Sequence, residues 1–188
     1  MEVSKNELDS PDRLQWDADE HSKWLTLALH LAKKSPPKPT NYCVGAVLIS
    51  PSRKYPVLST GYTLELPGNT HAEQCCFEKF AKSNGCDVEE LHTVLPDDST
   101  LYTTMEPCVK RLSGNKPCAQ RILEAKNIKK VFVGVTEPEK FVNENNACKI
   151  LGDSGIAYEH IPGMEKEILE VATAGHEKEQ AEESDAAK

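Results

Sequence analysis

Apolar and polar positions along the chain alternate between helical and strand periods. Residues 19–34 place Trp24, Leu27 and Leu31 at spacings of three and four, which predicts an amphipathic helix. Pro36, Pro37 and Pro39 end it. Residues 42–49 are almost continuously apolar, the pattern of a strand buried on both faces. A turn-like stretch over 50–54 leads to a partner strand over 55–60. Helical spacing returns over 71–83, with Ala72, Cys75, Cys76 and Phe80 apolar and Thr70 as the expected N-cap. A polar loop over 84–99 precedes a short strand over 101–104 and a helix over 118–126. A strand over 130–135, a helix over 146–153 and a strand over 157–161 follow. Strands joined through a helix run parallel. The plan is therefore α/β, a three-layer α/β/α arrangement around a central five-stranded mixed sheet.

The ends read differently. Residues 1–18 form a polar arm, 19–162 the main domain, and 163–188 a helix running into a charged, alanine-rich tail expected to fray from 177 onward. With 188 residues the chain makes one domain with a sizeable core. A net charge of −8 argues against a broad nucleic-acid footprint, so no nucleic-acid partner is expected. No apolar run reaches membrane-spanning length, and the acidic, polar start does not read as a secretory or transit peptide. Seven cysteines, an odd number, point to a reducing compartment: the cytoplasm, with nuclear entry allowed.

The candidate chemistry lies in His71-Ala72-Glu73, Pro107-Cys108 and Pro117-Cys118. One imidazole and two thiolates are the donors a catalytic Zn2+ site uses, leaving a fourth position for water, whose pKa drops to roughly 7. Glu73 would be the carboxylate that moves protons beside the metal. Two residues apart, His71 and Glu73 converge only near a helix start, and a proline before each thiol suggests the same setting for Cys108 and Cys118. Each residue also has an ordinary reading. Thr70 and Glu73 have capping-box spacing, and both thiols could be small core hydrophobes. Cys75 and Cys76 read as core, His92 and His160 as surface or satisfied core, and Trp16, Trp24 and Tyr62 as packing.

His-x-Glu followed by Pro-Cys and a second Cys resembles the zinc-dependent cytidine-deaminase superfamily. Its usual members space the cysteines by two residues; here nine intervene, and such an insertion resembles the pyrimidine deaminases of riboflavin biosynthesis. The stretches 41–47, 66–73, 133–138 and 151–156 are similar to corresponding parts of that family, and 111–118 resembles its fungal form. The resemblance covers roughly 20–162. It implies a deaminase-like fold, Zn2+ on His71, Cys108 and Cys118, Glu73 as proton shuttle, and a homodimer across the metal-bearing helices. It also implies hydrolytic removal of an exocyclic amine from a phosphorylated ribitylamino-pyrimidinone, with ammonia released.

Asn41, at the start of the first strand, takes the place of a base-holding residue, though a strand-entry role also fits. A phosphate would want cationic and polar donors, which Lys110, Arg111, Ser113, Asn115 and Lys116 offer. One or two of these five are expected to reach it, the rest forming a solvated loop. Asn143, with Asn145 and Asn146, resembles a loop near the family's pocket, and helix capping explains at least one of the three. Glu106 reads as orienting its loop. Two other classes share these ligands. A tRNA adenosine deaminase would have tight cysteine spacing and a basic face; an inactive zinc-binding subunit would lack the carboxylate.

Overall fold

The structure is a computed structural model describing residues 3–136 and 146–176. Asn143, Asn145 and the tail over 177–188 lie outside the described residues. The chain opens with α1 (Lys5–Asp9), capped by Ser4 and Glu7, and a 3-10 turn over Pro11–Arg13. This polar arm packs closely. Leu14 and Trp16 are buried, and the Trp16 ring meets Trp24 edge-on at 5.0 Å. The indole N–H of Trp16 donates to Glu7 at 3.2 Å, so the amphipathic ring buries its body and satisfies its polar tip.

Next come α2 (His21–Ala32), β1 (Gly45–Ile49), β2 (Val57–Tyr62) and α3 (Ala72–Ser83). A 3-10 turn over Val88–Thr93 lies in the stretch expected to be loop. The remainder is β3 (Ser99–Met105), α4 (Cys118–Glu124), β4 (Ile128–Val135), α5 (Ala147–Asp153), β5 (Ala157–His160) and α6 (Glu165–Ala172). The sheet order is β2-β1-β3-β4-β5. β1 is antiparallel to both neighbours, and β3, β4 and β5 run parallel through their helical crossovers. The expected five-stranded mixed sheet is therefore present.

All five β1 residues are buried because the sheet is covered on both sides. Val47, Ile49, Tyr102 and Phe132 join Trp24 and Leu25 of α2 on one face. Ala46, Leu48, Leu101 and Val131 join Phe77, Ile122 and Leu151 of α3, α4 and α5 on the other. Each large aliphatic side chain removed from water contributes about 1.5–3 kcal/mol. β1 begins three residues later than its apolar run, since residues 42–44 pair elsewhere. The Cys43 N–H donates to the Ala172 carbonyl at 3.0 Å, and the Val44 N–H to Thr63 Oγ1 at 3.1 Å.

Glycine sets where α3 starts relative to the sheet. A Cβ on Gly61 of β2 would sit 2.2 Å from the Ala72 carbonyl oxygen. Only a residue without a side chain lets the first turn of α3 approach so closely. That turn carries the proposed chemistry.

Candidate metal and proton-transfer site

His71 is the N-cap of α3 in extended backbone conformation, and Glu73 lies in the first helical turn. Both side chains reach Cys118, whose Sγ is 3.4 Å from His71 Nδ1 and 3.3 Å from Glu73 Oε2. The helix starts one residue later than the sequence suggests. Thr70 therefore does not cap it, and its hydroxyl donates to the Leu66 carbonyl at 3.0 Å. Glu73 is then the second helical residue, whereas a capping box needs the third. Its carboxylate is 3% exposed and turned into the site.

Cys118 opens α4, with Pro117 as N-cap. Cys108, expected at a helix start, is instead in the loop after β3. It works as a cap for α4: the Ala119 N–H donates to its carbonyl at 3.1 Å and the Cys118 N–H to its Sγ at 3.4 Å. The opening amides of a helix have no partner within it, so an outside sulfur and carbonyl take their place. This link brings the two thiols together across the nine-residue insertion.

The donor set fits zinc. His71, Cys108 and Cys118 offer ligand atoms all within 4.8 Å of one another. His71 Nδ1 lies 3.6 Å from Cys108 Sγ and 3.4 Å from Cys118 Sγ. Bonds of about 2.1 Å to nitrogen and 2.3 Å to sulfur at a tetrahedral angle require an edge of about 3.6 Å. Among the described residues no other such group of three exists.

Electrostatics at the site follow from burial and sharing of one proton. The Cys118 thiol donating to Cys108, together with His71 and the Cys118 amide, pulls the Cys108 pKa down to about 4. Cys118, holding that proton and buried, is pushed well above the usual thiol range. A divalent cation would replace the shared proton. Burial raises the Glu73 pKa, with the nearby His71 opposing, so the carboxyl holds a proton more readily than a free one. Thr103, fully buried on β3, places its hydroxyl 3.4 Å from Glu73 Oε1 and 3.1 Å from the Met105 carbonyl.

A cavity of about 340 Å³ opens on this group. Asn41, Lys110, Arg111 and Ser113 line it, as does Glu106. The Thr40 hydroxyl donates to Asn41 Oδ1 at 3.1 Å, which orients that amide. Asn115 and Lys116 do not line the cavity. Lys116 turns away to pair with Glu124 at 2.5 Å. Asn146 caps α5 by accepting from the Lys149 N–H. Cys75 and Cys76 are buried in α3, Trp16 and Trp24 pack in the core, and half-buried Tyr62 packs against it. Sequence reasoning missed Thr103, Gln74 and the cavity-lining Leu112. Thr103 lies among neighbouring threonines with nothing local to distinguish it, and Gln74 meets the inter-cysteine segment through Arg111, 37 residues away.

The family model for the cytidine and deoxycytidylate deaminase zinc-binding region matches residues 18–135. Over 156 residues the chain is 36% identical to the diaminohydroxyphosphoribosylamino-pyrimidine deaminase of Schizosaccharomyces pombe, covering 83% of this chain but only 36% of that protein. Among solved structures, the Aspergillus oryzae Rib2 deaminase in complex with DARIPP is 44% identical with a TM-score of 0.76, covering 86% of this chain and 94% of that one. A diaminohydroxyphosphoribosylaminopyrimidine deaminase/5-amino-6-(5-phosphoribosylamino)uracil reductase from Thermotoga maritima is 26% identical with a TM-score of 0.62, covering 82% of this chain and 40% of the other.

Proposed function

Because the chain belongs to the cytidine and deoxycytidylate deaminase zinc-binding family, we propose that it is a zinc-dependent hydrolase releasing ammonia from a phosphorylated ribitylamino-pyrimidinone of riboflavin biosynthesis. The observation that carries this reading is the convergence of a buried carboxylate, Glu73, with His71, Cys108 and Cys118, where His71, Glu73 and Cys108 line one cavity. Likeness to Rib2 deaminase supports the substrate class.

Zinc held by His71 Nδ1 and the two sulfurs would supply Lewis acidity, lowering the pKa of water toward about 7. The remaining work falls to the chain. Glu73 takes one proton from the attacking water and gives it to the ring nitrogen. It then takes the water's second proton from the hydroxyl now on the ring carbon and gives it to the departing amine as the carbonyl forms and ammonia leaves. Its burial and its 3.3 Å approach to Cys118 Sγ hold the carboxylate beside the metal donors, where those transfers take place. Asn41, oriented by Thr40, is the proposed donor and acceptor for the pyrimidine edge. Lys110 and Ser113 are the proposed partners of the phosphorylated chain.

A ribosylamino form of the substrate is the second reading, supported by the name of the Schizosaccharomyces pombe relative. Incubating the zinc-loaded protein with each pyrimidine phosphate, with and without a chelator, and measuring ammonia decides between them. Release from neither, with release from tRNA adenosine, would replace the proposal by RNA editing. Release from no substrate would make the chain a zinc-binding subunit. All seven cysteines are free, which supports a reducing compartment and hence the cytoplasm, with nuclear entry still allowed. The net charge of −8 supports the absence of a nucleic-acid partner. A homodimer completes the proposal, and sedimentation of the purified protein tests it.

A further inference from the structure

Residues 109–117 join the two thiols, and none of them is buried. Leu112 is fully exposed. With little hydrophobic hold, polar links must offset the entropy lost in fixing this segment. Toward α4, Lys116 pairs with Glu124, and Arg121 Nε donates to the Lys116 carbonyl at 3.2 Å. Toward α3, Arg111 makes the close links. Its Nη1 donates to Gln74 Oε1 at 3.0 Å and its Nη2 to the Asn69 carbonyl at 2.5 Å. Asn115 adds a contact to the same carbonyl at 3.5 Å. Gln74 is itself fixed, nine-tenths buried and donating to Glu78 at 2.7 Å.

Asn69 and Gln74 stand on either side of His71 and Glu73 in the chain. One planar guanidinium therefore brackets the ligand and the carboxylate while its own backbone belongs to the segment between the thiols. We infer that Arg111 is a positioning residue. It clamps the inter-cysteine segment across the first turn of α3, keeping Lys110 and Ser113 at the cavity and the His71–Glu73 pair in register with Cys108 and Cys118. The sequence offers Arg111 as a phosphate ligand. Its two terminal nitrogens are already committed to protein acceptors, and a bidentate phosphate contact would compete for that same fork.

The activity readouts rest on the deaminase reading; the clamp is also read out without substrate. R111M, R111K, Q74L and the R111M/Q74L double variant of the zinc-loaded full chain are compared with the parent. The measurements are kcat and KM on the phosphorylated pyrimidine and on its dephosphorylated counterpart, and the rate of trypsin cleavage after Lys110. The clamp predicts that R111M lowers kcat/KM roughly 10- to 100-fold on both substrates alike, because misplacement by about 1 Å has effects of that size. R111K does not rescue it, since an ammonium cannot span two acceptors held by a planar fork. Q74L shifts the same way, and the double variant is no worse than R111M, as expected for one shared link. Cleavage after Lys110 accelerates in every variant. A penalty confined to the phosphorylated substrate and recovered by R111K would overturn the inference in favour of direct phosphate contact. Unchanged cleavage together with unchanged kinetics would also overturn it. If the parent releases no ammonia from either pyrimidine, the functional reading fails, and the cleavage rates still decide the clamp.

Discussion

The two halves of the cavity are built differently. His71, Glu73 and Cys118 stand at the starts of helices that are packed against the sheet, and Glu73 and Cys118 are almost wholly removed from solvent. The other half, Thr40 to Tyr42 and Lys110 to Ser113, lies on loops whose side chains are mostly half-buried or exposed. Its fixed geometry comes from individual hydrogen bonds such as Thr40 to Asn41 and Arg111 to Asn69. Reacting groups need tight tolerance and are placed by packing, while recognition groups rest on a few polar ties that cost less to change. Substitutions on the packed half should abolish turnover or unfold the chain, and those on the loop half should mainly shift KM.

The largest expected effect is at Glu73. Glu73→Gln keeps the size of the side chain and removes its base, so kcat should fall by roughly 10²- to 10⁴-fold while zinc content by metal analysis stays unchanged. An active variant would remove the distinction between the halves, because the buried carboxylate would then be structural. Cys118→Ala deletes a donor and should lose zinc and turnover together, with neither restored by added metal; retention of zinc at full stoichiometry would contradict the ligand set. Phe77→Ala probes the packing that carries α3. Phe77 is 1% exposed, so a loss of about 3–5 kcal/mol in chemical denaturation is expected. At Asn41 on the loop half, Asn41→Ala should raise KM by about tenfold with kcat nearly unchanged, the value of one hydrogen bond of about 1.4 kcal/mol. A change in kcat instead would place Asn41 with the reacting groups.

The smallest effect lies away from the site and serves as a control. Asp98 accepts from Ser50 Oγ and the Ser52 N–H, both at 2.7 Å, tying the turn after β1 to the start of β3. Burial raises its pKa, but these donors outweigh burial and the net shift is downward. A carboxyl with a lowered folded pKa stabilises above its unfolded value of about 3.9, and that contribution is lost as pH falls through the folded value. Asp98→Ala should therefore cost about 1–2 kcal/mol at neutral pH, with the gap to the parent closing below about pH 4 and kcat unaffected. A persistent gap at low pH would mean the side chain acts through packing.

Several elements were legible because their signals are local. The apolar run ending at Ile49 predicted a doubly covered strand, and β1 is buried throughout. The spacing of Trp24, Leu27 and Leu31 predicted α2, whose residues at those positions are all buried. His71, Cys108 and Cys118 could be named because few side-chain types make a zinc site. Other features were not legible, each for a physical reason. Thr70, expected as the N-cap of α3, instead donates to the Leu66 carbonyl, because where a helix starts depends on the surrounding contacts, here the close approach at Gly61. The polar arm hid two large side chains, Leu14 and Trp16, that join the core cluster around Trp24. Lys116 and Arg111 looked equivalent as phosphate donors until Glu124, Gln74 and Asn69 were seen to occupy them.

Residue chemistry and periodicity therefore determined the layered α/β plan and singled out the candidate metal donors His71, Cys108 and Cys118 with Glu73 beside them. Donor preference and hydrophobic spacing are properties a single strand of letters already carries. Only the tertiary structure decided that Cys108 caps α4 from a loop, that Thr103 touches Glu73, and that Arg111 grips both flanks of the His71–Glu73 pair. Those contacts join residues 10 to 42 positions apart, and a hydrogen bond over such a separation exists only once packing has fixed both partners.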